Sequence, residues 1–257
     1  MIELFWAELK RTWLEFIRYP AEAMGGVAII TMVFYGLFLG AQYMTGPASQ
    51  FGDRLDAIVI GYVLWTLVVF VLVDIALNLQ LETQTGTLEQ VLLSPFGAPQ
   101  IFFARAVASL TLRLALILSI LIIIMGLTGS RVSFPLLLLL PLGSVIMGAY
   151  GLAFVVGSLA LLFKRVQQLV GIFQFGLLFL MATPTEEWTG RAGVLAQLLP
   201  MTGGAGLLRD LMARGEPLDV GRWVISLGVG LVYLGMGLLC FRWAVEQAKR
   251  RGILGSY

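Results

Sequence analysis

The stretch LETQTGTLEQVLLSPFGAPQ, Leu81–Gln100, carries two acidic residues, a Gly-Thr pair and a Ser-Pro stop. Apolar residues dominate on both sides of it, from Ala57 to Leu77 and from Ala106 to Leu127. Each flank is about the 20 residues that a helix needs to cross a hydrocarbon core about 30 Å thick. The quoted segment is therefore a punctuated connection between two membrane spans.

Further apolar blocks run from Ala23 to Tyr43, Pro135 to Phe163, Leu169 to Thr183 and Val220 to Trp243. The expected fold class is an all-α integral membrane protein with about six transmembrane helices. The fifth span is short, since only about 15 residues precede Thr183-Pro184. Composition agrees: of 257 residues, 59% are hydrophobic and 12% charged. The whole chain, 1–257, reads as a single transmembrane domain.

Residues 1–19 form a separate element. At 100° per residue, Ile2, Phe5, Trp6, Leu9, Trp13, Phe16 and Ile17 share one face, while Glu8, Arg11, Glu15 and Arg18 fall opposite. The early charges Glu3, Glu8, Lys10 and Arg11 do not fit a signal peptide. An N-terminal amphipathic helix in the membrane interface is expected, ended by Tyr19-Pro20; the alternative is a soluble-facing helix packed on another chain.

Basic residues set the orientation. With the N-terminus cytoplasmic, the inner side holds Lys10, Arg11, Arg18, Arg105, Lys164, Arg165, Arg242, Lys249, Arg250 and Arg251. The outer side holds only Arg54, Arg131, Arg191, Arg209, Arg214 and Arg222, most of them in one long loop. The expectation is a multi-pass protein of the cytoplasmic (inner) membrane with both termini cytoplasmic. Residues 184–219 then form an outer segment whose apolar piece, Val194 to Leu199, is too short to span. It is expected to dip into the bilayer or pack over the bundle, with Gly203, Gly204 and Gly206 turning between half-helices.

In the segment 78–100, Gly86 suits the end of one helix, and Thr87 with Gln90 makes a capping-box pattern that starts another. That helix puts Leu88 and Leu92 at i, i+4, carries Glu89 near its positive end and stops at Ser94-Pro95. About two turns long, it is marginal alone and must pack on something: its own bundle or a soluble partner.

Several chemistries are disfavoured by composition. Neither Lys10, Lys164 nor Lys249 ends a Gly-rich turn of the Walker A kind, so this chain is not expected to bind ATP in that way. Histidine is absent, which removes His-based acid–base catalysis and His-rich zinc sites. One cysteine, Cys240, makes neither an internal disulfide nor a Cys-rich metal site, and a net charge of +2 gives no footprint for nucleic acid. Glu186-Glu187 reads as a solvated face rather than a catalytic pair. Asp74 and Arg113 are ionisable groups within spans, either paired with one another or snorkelling.

The run Glu82-Thr83-Gln84-Thr85-Gly86-Thr87-Leu88-Glu89-Gln90-Val91-Leu92-Leu93-Ser94-Pro95 resembles the cytoplasmic signature of ABC-2 type transporter permeases. Pro200 followed by Leu207, Leu208, Arg209 and Leu211 is similar to a second pattern of that family. The resemblance implies a permease subunit that pairs with a second transmembrane subunit, as homo- or heterodimer, and with ATPase subunits of the ATP-binding cassette type that hold the ATP and magnesium. No cofactor and no metal is implied in this chain, and no catalytic residue. The implied contact with the ATPase, through a short cytoplasmic coupling helix, comprises Glu82, Gly86, Thr87, Leu88, Glu89, Leu92 and Pro95, with Ser94 as part of the stop.

The resemblance also implies a cavity lined partly by the second and fifth spans, with Thr66, Phe70, Phe173 and Gln174 as pathway candidates. A pathway with few charges suits an amphipathic or lipid-like compound, and the resemblance implies its export. The alternatives are a stand-alone channel or secondary transporter and, further off, an intramembrane enzyme.

Overall fold

The computed structural model describes residues 2–45, 52–85, 98–162 and 167–250. Among them there is no strand. Helix α1 is Ile2–Arg18, α2 Pro20–Thr45, α3 Gly52–Thr85, α4 Ala98–Thr128, α5 Leu139–Leu162 and α6 Gln167–Ala182. Two shorter helices follow, α7 Gly190–Leu198 and α8 Thr202–Met212, before the long α9 Val220–Arg250. Single 3-10 turns occur at Leu136–Leu138 and Thr185–Glu187.

Among the described residues, five helices carry stretches long and apolar enough to cross a membrane: Ala23–Tyr43, Arg54–Leu79, Gln100–Thr128, Leu136–Leu161 and Val220–Ala248. Helix α6 is the sixth apolar helix. Its 16 residues rise about 24 Å, less than a hydrocarbon core of about 30 Å. It packs against α3, where the Trp65 indole donates to the Gln174 carbonyl at 3.0 Å.

The core sits around α3. Val59, Leu67, Val68, Leu72 and Leu79 are fully enclosed there, and Phe154 of α5 meets Phe241 of α9 with ring centroids 5.4 Å apart. Association of helices in lipid depends on close packing rather than on hydrophobic burial, so small residues let backbones approach. A Cβ on Gly151 of α5 would overlap the backbone of Tyr233, and one on Gly237 of α9 would overlap the backbone of Gly151. These glycines make α5–α9 the most intimate helix pair of the bundle. By contrast α2 is peripheral and exposes Met24, Ile29, Met32, Leu37 and Tyr43.

Helix α1 ends at Arg18 and α2 restarts at Pro20, where a missing N–H costs nothing in a first helical turn. Its inward face differs from the expected one. Phe5, Glu8, Leu9, Thr12 and Phe16 turn toward the bundle, and Trp6, Trp13 and Ile17 stay exposed. Glu8, placed by periodicity with the outward charges, faces inward because Arg105 of α4 meets it there.

The segment 184–219 also departs from expectation in its turn. The chain reverses between α7 and α8 at Leu199–Met201, and Met201 itself takes the left-handed backbone, φ 68°. Thr202 closes the reversal by donating to the Leu199 and Ala196 carbonyls. The three glycines lie inside α8 instead, where they serve approach. A Cβ on Gly204 would meet Val145 of α5 at 2.7 Å, and one on Gly206 would meet Glu186 at 3.0 Å. Helix α8 is thereby buried among α3, α5 and α9.

Candidate functional site

The expected coupling segment joins the C-terminal end of α3 to the start of α4. Gly86, Thr87, Leu88, Glu89, Leu92, Ser94 and Pro95 lie outside the described residues, and Glu82 is described only as part of the α3 backbone. The helices that carry the segment are described. At 34 and 31 residues, α3 and α4 are about 51 and 46 Å long, well beyond the thickness of a hydrocarbon core.

These two helices are tied together about three turns before the segment on α3 and about four turns after it on α4. Asp74 of α3 forms an ion pair with Arg113 of α4. The same carboxylate accepts from Ser109 Oγ at 3.0 Å and from Asn78 Nδ2 at 3.2 Å. Asp74 and Arg113 thus pair rather than snorkel, the arrangement expected of ionisable groups at membrane depth. The Arg113 guanidinium also lies 5.6 Å from the centre of the Phe70 ring, a cation–π distance.

A second clamp ties α4 to α1. Arg105 donates through Nε and Nη2 to the two carboxylate oxygens of Glu8, both at 3.3 Å, with the side chains only 12% exposed. Because bidentate guanidinium–carboxylate pairs fix orientation as well as distance, α1 is held at a defined angle on α4. On the other side of α4, the Tyr150 hydroxyl of α5 donates to the Ala106 carbonyl at 2.6 Å. One short stretch of α4, from Arg105 to Arg113, is therefore bonded to α1, α3 and α5.

The pathway candidates do not gather into one surface. Thr66 is buried in α3 and its hydroxyl donates to the Tyr62 carbonyl at 2.9 Å, the back-bonding common for Thr in helices. Phe70, one turn on, lines a cavity of about 570 Å3 between α1, α2, α3 and α4. Phe173 of α6 packs on the core, and Gln174 meets α3 through its carbonyl.

At the opposite end of α3 lies a charge network whose members were not all expected to be buried. Glu186, read from sequence as part of a solvated pair, is 3% exposed, and so is Arg209, which donates to it at 2.7 Å. Arg209 also donates to the Met181 carbonyl at the end of α6. A Cβ on Gly61 would meet that carbonyl at 2.8 Å, so the glycine makes room for the contact. Asp210 accepts from Arg214 at 2.6 Å and from Arg222 of α9 at 2.8 Å, and Arg214 reaches Glu187 at 2.6 Å.

Burial alone would lower the pKa of Arg214, yet it is raised. Its hydrogen bond to Asp210 and the charges of Asp210, Glu186 and Glu187 prevail. Three carboxylates and three guanidiniums thus pin α6, α8 and α9 together. The one advance sign is the arginine after Leu207-Leu208, since a charge embedded in an apolar helix needs a partner.

Among the described residues, no group of His, Cys, Asp and Glu is placed to hold a metal ion. No curated protein and no solved structure matches the chain significantly. The sequence model of the ABC-2 type transporter family does match, over residues 3–211. That match includes α1, the clamped helices α3 and α4, the segment between them, and α8 almost to its end. The chain is a multi-pass membrane protein and belongs to the ABC-2 type transporter family, as a permease domain.

Proposed function

We propose that this permease is the transmembrane subunit of an ATP-driven efflux complex in the cytoplasmic membrane, with the N-terminus, the C-terminus and the segment 86–97 on the cytoplasmic side. Separate ATPase subunits bind ATP and magnesium, and a second transmembrane subunit completes the pathway. The observation that carries the reading is the family match across the signature Glu82–Pro95. It is supported by the clamps beside the signature: a push on the segment is delivered to α3 and α4 together through Asp74–Arg113 and to α1 through Glu8–Arg105.

Glu82, Gly86, Thr87, Leu88, Glu89, Leu92, Ser94 and Pro95 form the contact with the ATPase in this reading. The cargo is amphipathic or lipid-like, in keeping with the uncharged positions Thr66, Phe70, Phe173 and Gln174 on α3 and α6. A carrier driven by an ion gradient is less well supported, because the intramembrane carboxylate Asp74 is already engaged by Arg113, Ser109 and Asn78.

Glu89→Arg tests the contact. It reverses a charge facing a basic groove and opposes the positive end of the helix expected there from the sequence, at a cost of about 1 kcal/mol or less. Membrane abundance should stay near that of the parent while copurification of the ATPase and nucleotide-dependent transport fall. Collapse of abundance would make Glu89 structural, and three unchanged readouts would remove the segment from the coupling path.

A further inference from the structure

We propose that the cavity under α1 is a seat for one zwitterionic phospholipid headgroup. The inference rests on the reading of α1 as an interfacial helix, which places the α1 rim of the cavity at headgroup depth with Asp74 and Arg113 on the membrane side of it, and it holds whatever the permease exports. At about 570 Å3 the cavity is within the roughly 300–1,000 Å3 usual for small-molecule sites.

Its lining is mixed in chemistry. It holds charged groups, Glu8, Glu15 and Asp74 against Arg11, Arg105 and Arg113, three of each sign. It also holds apolar positions, Ala23, Gly26 and Val27 of α2 with Leu112 and Leu116 of α4. A ligand matching this surface carries both charges close together and an apolar portion beside them. A net anion or a net cation would leave like charges facing it.

Two features leave room for such a ligand to bind. The rim pair Arg11–Glu15, 3.0 Å apart, is more than half exposed, and an exposed pair of this kind is worth about 0–1 kcal/mol, so it opens at little cost. Arg11 can then face the phosphate and Glu15 the ammonium. Deeper in the wall, Arg113 retains a buried Nε–H with no acceptor among the described residues, a donor that a phosphate oxygen would satisfy.

Gly26 allows a steric test. A Cβ there meets nothing within 4 Å, so Gly26→Leu starts its side chain in open cavity space, and Gly25→Leu, whose Cβ is equally unobstructed but outside the cavity lining, is its matched control. The full-length protein, with whatever subunits copurify, is placed in nanodiscs of phosphatidylethanolamine or phosphatidylglycerol, released, and weighed intact by native mass spectrometry. The parent and Gly25→Leu should retain one phosphatidylethanolamine per chain, and retention should drop roughly tenfold in Gly26→Leu and several-fold in Arg11→Gln. Soluble phosphoethanolamine, which lacks the apolar portion, should not displace it.

Undiminished retention in Gly26→Leu overturns the seat. Equal retention of phosphatidylglycerol overturns the charge argument, and displacement by phosphoethanolamine shows a soluble zwitterion in place of a lipid. Should Gly26→Leu melt well below the parent, Arg11→Gln at the exposed rim decides alone. No nucleotide is added and lipid retention, not transport, is read, so a failure here is distinct from a failure of the efflux reading.

Discussion

Replacing Arg209 by leucine removes one half of a buried ion pair and leaves the other half in place. Glu186 is 3% exposed, and without Arg209 its nearest cation is Arg214 at 3.7 Å, beyond hydrogen-bond distance. Breaking a buried pair from one side costs about 3–5 kcal/mol, whereas exchanging both charges for apolar groups is often near neutral. The double variant Glu186→Leu/Arg209→Leu still strands the Met181 carbonyl that Arg209 serves, a cost of about 1–3 kcal/mol. On the scale of roughly 2–4 °C per kcal/mol for chains of 150–250 residues, Arg209→Leu should lower the melting temperature by about 6–20 °C. The double variant should regain about half of that or more. Tryptophan fluorescence melting of the purified protein in mild detergent reads both values. A single variant melting within about 2 °C of the parent, or a double variant whose loss equals the sum of the two singles, would refute the buried pair as the lock between α6 and α8.

In a double-mutant cycle on Asp74→Ala and Arg113→Ala, the pair should show a coupling of about 1 kcal/mol or more in stability; additive losses would mean that the two charges act separately. Gly237→Leu forces α9 away from α5 at a cost of about 3 kcal/mol and should deplete the protein from membranes, while Gly36→Leu on α2, where a Cβ meets nothing, should not. Quantitative blotting of the membrane fraction distinguishes them. Single cysteines at Leu93 and Lys249 should resist an impermeant thiol reagent added to intact cells, and those at Asp53 and Glu187 should react; labelling at Leu93 would reverse the proposed orientation.

Long-period features were the ones that could be read before the structure. Apolar blocks located the long helices, and Tyr19-Pro20 marked the boundary between α1 and α2. Helical periodicity failed at Glu8, because what turns it inward is Arg105, 97 residues away. Glu186 and Glu187 looked alike as neighbours, yet Arg209 draws the first into the protein and leaves the second 60% exposed. The glycines of residues 203–206 suggested a turn, since glycine is permissive of both turns and close approach. Only the positions of Val145, Ser226 and Glu186 show that α8 needs them for packing. The short α6 raised a question of length that composition alone could not answer, while the signature after α3 was recognisable only as a motif.

If a separate ATP-hydrolysing subunit drives this permease, the two copurify from membranes in gentle detergent, and their stoichiometry can be measured. An ATPase of the ATP-binding cassette type is expected in about equal abundance with this chain, and transport in reconstituted vesicles should stop when that subunit is removed or its Walker A lysine is replaced. Substrate transport by this chain alone, without nucleotide and without such a partner, would contradict it.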